Sequence, residues 1–147
     1  MGHHAPQPDL TDLTNRLRRD DHRVTGPRQW ILDVLRKEPH PLSARELHER
    51  LQGSCNLATV YRSLKLLETK QMVKRFDFGD HTTRFELVGD HDDGHHHHLI
   101  CRECRTVVEI EDCFPHTLED RIAARHGFRN VSHQLEFFGL CPSCQAA

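Results

Sequence analysis

The sequence predicts an α+β chain in two parts, and three observations carry that prediction. Apolar residues recur at helical spacing through the first 70 positions, two strand-like runs follow, and a stretch rich in cysteine and histidine with mixed patterning closes the chain. At 147 residues there is room for one ordinary domain or two small ones. No long apolar run occurs, and the opening "MGHHAPQPDL" lacks the apolar core of a signal peptide. A cytoplasmic protein with no membrane segment is therefore expected.

The elements follow in order. "PDLTDLTNRLRRDD" spaces Leu10, Leu13 and Leu17 on one helical face. "TGPRQWILDVLRKE" begins with Thr25 and Pro27, both good helix starters, and sets Trp30, Ile31, Val34 and Leu35 inward. Ser43 and Glu46 stand at capping-box spacing ahead of "SARELHERLQ". After Gly53-Ser54, "NLATVYRSLKLLETK" forms a helix with Leu57, Val60, Leu64 and Leu67 inward. "QMVKRFDF" and "TTRFELV", joined through Gly79 to His81, read as a β-hairpin. Short helices ending in a hairpin predict a winged helix-turn-helix domain over residues 1–88, with the last helix reading DNA.

"GDHDDG", Gly89 to Gly94, has hinge composition. Beyond it "HHHLIC" and "TVVEI" read as strands, "PHTLEDRIAARHG" as a helix and "NVSHQLEFFGLC" as a longer strand. This makes residues 95–147 a small α/β lobe. So short a lobe is marginal on its own apolar core and is expected to need metal or a partner chain.

Charge separates the two parts. Residues 1–90 hold 15 Lys+Arg against 13 Asp+Glu, whereas 91–147 hold 5 against 9, so only the first part suits a polyanion. On the expected reading helix Thr59, Tyr61, Arg62 and Lys65 lie outward, with Arg62 and Tyr61 able to reach base edges or phosphates. Arg23 and Arg28 are candidate backbone or minor-groove contacts.

Metal chemistry concentrates in the second part. Of six cysteines, four form Cys101-x-x-Cys104 and Cys141-x-x-Cys144, the donor set of a closed tetrahedral zinc site that would staple the two ends of the lobe. Cys55 and Cys113 read as packing residues. Histidine supplies 14 of the 147 residues, far above ordinary usage, and four of them run together from His95 to His98. On a strand, His95 and His97 face one way and His96 and His98 the other. Glu86 and Glu109 can complete the second pair as a mixed N/O site suited to Fe(II), Mn(II) or Zn(II), and His116 and His133 can complete the first as a histidine-rich site.

Together, "LSARELHERL", "ATVYRSLKLLE", "HHHHLICREC" and "CPSC" resemble the ferric uptake regulator (Fur) family of metal-sensing bacterial repressors, from about residue 10 to residue 144. The resemblance implies a homodimer, extending to a tetramer in some settings, that binds palindromic operator DNA when metal-loaded, with residues 95–147 as the dimerisation domain. It implies structural zinc on Cys101, Cys104, Cys141 and Cys144, a regulatory ion on Glu86, His96, His98 and Glu109, and a dimerisation-lobe ion on His95, His97, His116 and His133.

Departures from the family pattern bear on the metal. His97 and His116 stand where Asp and Glu are usual, which makes the lobe site more zinc-like. Pro41 stands where a histidine ligand is usual, leaving His40 one step off. Glu86 replaces the cysteine of zinc sensors and Glu109 the aspartate of peroxide sensors. Iron sensing is therefore favoured over zinc, manganese, nickel or peroxide sensing. A metal store without DNA binding is the alternative from another class. An enzyme is not expected, because no H-E-x-x-H or deaminase-type H-x-E with P-C-x-x-C occurs.

Overall fold

Asp9 starts the first helix, α1 (Leu10–Arg19), by accepting from the Thr11 N–H. Thr25 does the same for α2 (Gly26–Lys37), its hydroxyl facing the Arg28 N–H with Pro27 in the first turn. A two-residue strand, β1 (Leu42–Ser43), leads into α3 (Ala44–Arg50) through the full capping box: Glu46 N–H donates to Ser43 Oγ, and Ser43 N–H donates to Glu46 Oε2 at 2.7 Å. Asn56 caps α4 (Leu57–Thr69). Strands β2 (Val73–Asp77) and β3 (Thr83–Leu87) form the hairpin, and the sheet order is β1-β3-β2, all antiparallel. The computed structural model describes residues 8–20, 22–88, 96–110 and 117–146, and the chain divides into two compact units, Met1–Gly94 and His95–Ala147.

In the first unit one apolar cluster joins all four helices to the small sheet. Leu13, Leu17, Ile31, Leu32, Leu47, Val60, Leu64 and Leu67 are each 1% exposed or less. This core fixes α4 from behind and leaves its other side to solvent. One expectation changes here: Trp30 is 42% exposed, and Leu32 takes the inward position beside Ile31 and Leu35. The indole instead lies over Gly26, where an added Cβ would sit 3.1 Å from the ring, so the missing side chain of Gly26 makes room for it.

The second unit contains β4 (His97–Cys101), β5 (Val107–Ile110), α5 (Thr117–His126), β6 (Glu136–Gly139) and α6 (Pro142–Gln145). Its sheet runs β5-β4-β6, antiparallel on one side of β4 and parallel on the other. The long strand expected over "NVSHQLEFFGLC" shortens to Glu136–Gly139. Ladder pairing begins at His98↔Glu136, and the Leu135 carbonyl one residue earlier lies 3.1 Å from the His97 ring Nδ1. Neither β1 nor α6 was evident in the sequence pattern; α6 is a single turn opened by Pro142 after Cys141. Among the described residues of this unit only His97, His98, Ile100 and Cys101 are buried.

Candidate metal centres

The four cysteines converge. β4 ends at Cys101, the turn after it carries Cys104, and the chain leaving β6 brings Cys141 and Cys144, with all four sulfurs within 4.8 Å of one another. Cys104 Sγ and Cys141 Sγ are 3.6 Å apart, close to the roughly 3.8 Å between thiolates that each bind one zinc at about 2.3 Å. The Cys141 N–H donates to Cys101 Sγ at 3.4 Å and is the largest influence pulling that thiol down to about 6. The Thr106 hydroxyl, 3.1 Å away, leads the causes that lower Cys104. Cys144 goes the other way, pushed up to about 12, first by Cys141 and then by Cys101 and Cys104. Four sulfurs this close resist holding four negative charges until a cation sits among them. Four sulfur donors so placed could hold one ion in a closed tetrahedral site, which would leave no open position for catalysis.

The histidine run divides by strand alternation. The rings of His96 and His98 meet edge-on with centroids 5.0 Å apart. His98 pairs in register with Glu109 on β5 and Glu136 on β6, so these three side chains share one face of the sheet. Glu136 reaches back to the ring, its Oε2 lying 3.2 Å from His98 Nδ1. On the other face His97 stacks on His133, centroids 5.2 Å apart, with the two Nε2 atoms 3.3 Å from each other. Glu86 is half-buried on β3 of the first unit, opposite Lys74. His95, His116 and Cys113 lie outside the described residues.

The outward side of α4 carries Tyr61 (52% exposed), Arg62 and Lys65. Its first turn is ordered by a relay in which Asn56 Oδ1 accepts from the Thr59 hydroxyl and Thr59 Oγ1 accepts from Arg62 Nη2. The Arg28 guanidinium donates to the Arg23 carbonyl at 2.6 Å, which ties the segment before α2 to the helix that follows.

A sequence model described as "Ferric uptake regulator family" matches residues 19–138, spanning both units and every site above except the final cysteine pair. The chain belongs to the ferric uptake regulator family. It is thus a metal-responsive, DNA-binding transcription regulator and not an enzyme. The ferric uptake regulation protein of Shigella flexneri is 38% identical over 136 residues, covering 90% of each chain. The Vibrio cholerae ferric uptake regulator is 34% identical with a TM-score of 0.72, covering 88% of this chain and 100% of that one. The Pseudomonas aeruginosa regulator, solved with manganese, is 30% identical with a TM-score of 0.64 and covers 88% of this chain and 97% of that one.

Two carboxylates of this Fur-family chain were missed in the sequence. Glu136 stands behind His98, and Glu119 of α5 stands behind His133, its Oε1 2.7 Å from the ring Nδ1. Glu136 carried one legible signal, three residues after His133 in a strand-like run. Glu119 carried none, since first-turn acids are ordinary helix chemistry.

Proposed function

We propose that this protein is an iron-responsive repressor in which a regulatory ion bound by Glu86, His96, His98 and Glu109 sets operator affinity. The observation that supports this most is the separation of His96 and His98 from His97, with Glu109 in register beside His98: imidazole and carboxylate donors together suit Fe(II) or Mn(II). An ion shared by wing and lobe would fix the two recognition helices of a dimer at the spacing of a palindromic operator. Coupling of this kind is worth about 1–3 kcal/mol, or roughly 5- to 150-fold in affinity, and acts equally in both directions.

Regulators of this family bind DNA and are dimeric. In this chain Val108, Leu99 and Phe137 support the same assembly: they form one register-matched row across β5, β4 and β6, and are 49%, 39% and 40% exposed. A second copy of the lobe would cover that row. A role on DNA supports a cytoplasmic location. The deciding measurement is operator affinity with and without Mn(II) or anaerobic Fe(II) at fixed salt, for the native chain and His98→Ala. Metal is expected to tighten native binding by at least fivefold and leave His98→Ala unmoved; equal affinities for the native chain with and without metal would overturn the reading.

A further inference from the structure

The face of β4 that carries His97 is built from rings whose outer nitrogens are already committed. His97 Nδ1 lies 3.1 Å from the Leu135 carbonyl oxygen. A carbonyl only accepts, so Nδ1 carries the proton and Nε2 presents a lone pair. His133 is held the same way by a carboxylate, Glu119 Oε1 at 2.7 Å from its Nδ1, with the His133 side chain 21% and the Glu119 side chain 18% exposed. An ionised carboxylate accepts, so His133 takes the same tautomer and turns its Nε2 lone pair toward that of His97, 3.3 Å away. Two lone pairs at that distance repel each other unless a proton or a metal ion sits between them. Imidazole nitrogens about 2.0–2.1 Å from one tetrahedral ion stand about 3.3–3.4 Å apart.

We propose that Glu119 is a positioning residue for an ion on the His97–His133 pair, selecting the His133 tautomer and holding α5 against the site. This rests on the reading that the His97 face binds a metal. Glu119 meets the ring at Nδ1, away from the nitrogen that faces His97, so it acts through His133 rather than by binding the ion itself. Its charge also offsets that of a dication. The contact anchors a helix that buries none of its own residues, so ion binding and the docking of α5 become one event.

The test uses the full chain with Zn(II) as probe, competing the zinc not held by cysteine against a chelator for the native protein, Glu119→Gln, Glu119→Ala and His133→Ala. Zinc kept by the four cysteines and the far-UV circular dichroism report folding. Glu119→Ala is expected to bind the same number of ions with roughly 10- to 100-fold lower affinity. Glu119→Gln, which keeps an accepting oxygen but loses the charge, should fall between. With the histidine sites emptied, ring nitrogen NMR should show His133 in the Nδ1–H form in the native chain and a shift toward the Nε2–H form in Glu119→Ala. If both Glu119 variants keep native affinity and tautomer while His133→Ala loses one ion, the proposal for Glu119 is wrong and the metal face stands. If His133→Ala retains every ion at native affinity, the metal face itself is wrong. Should Glu119→Ala fail to fold, the isosteric Gln variant decides by the same two readouts.

Discussion

The Nε2 atoms of His97 and His133 face each other at 3.3 Å across the C-terminal lobe, 36 residues apart in sequence. This face offers imidazole nitrogens in place of a hard oxygen. Donor softness then governs which ion it prefers. His97→Asp should shift the face from Zn(II) toward Fe(II) or Mn(II), read as the ratio of competed Zn(II) to Mn(II) in metal analysis. An unchanged ratio would mean that residue 97 does not select the ion.

Zinc capture by the four cysteines should release fewer than four protons at about pH 7.5. The reason is the spread of the thiols: Cys101 is pulled down to about 6 and is already a thiolate there, whereas Cys144 is pushed up to about 12 and must give its proton up on binding. A group whose pKa is lowered favours the bound state above that pKa and stops doing so as pH falls through it. Zinc retention should therefore weaken steeply on acidification through the region of pH 6 and below. Indicator-dye proton counts during zinc titration check this, and a release of four at pH 7.5 contradicts it.

Zinc removal should melt the two units unequally. The first unit has a large aliphatic cluster, so Leu64→Ala there costs about 2–5 kcal/mol through lost contacts and a cavity, with or without metal. Among the described residues the second unit buries one aliphatic side chain, Ile100, beside two histidines and a cysteine. Cys141→Ser should accordingly lower the melting temperature of the second unit by far more than that of the first. Amide hydrogen exchange resolves the two, and equal loss of protection in both would count against this division.

Arg62 should matter for DNA in a way that its neighbours on the buried face do not. Its guanidinium is exposed yet steered by the Asn56–Thr59 relay. Arg62→Ala is expected to weaken operator binding by about 1–3 kcal/mol if it meets a base edge, or to reduce the salt slope by about one if it meets a phosphate. Binding measured over a range of salt on operator and mismatched duplexes separates these outcomes, and no change in either quantity removes Arg62 from the interface.

The sequence by itself determined the features that depend on neighbours along the chain. Caps at Thr25 and Ser43 marked helix starts, the C-x-x-C pairs declared a thiolate site, and period-two alternation sorted His96 and His98 from His97. Trp30 misled because apolar spacing cannot distinguish a core face from one where a glycine lets an indole lie along its own helix.

Only the tertiary structure decided which carboxylates stand behind the histidines. Glu136 meets His98 across 38 residues because β6 joins β4 in parallel at one register, and a shift by one residue would turn Glu136 to the opposite face. Glu119 meets His133 because α5 brings its first turn to the segment before β6. Such contacts are fixed by how distant elements pack, and no local spacing records them.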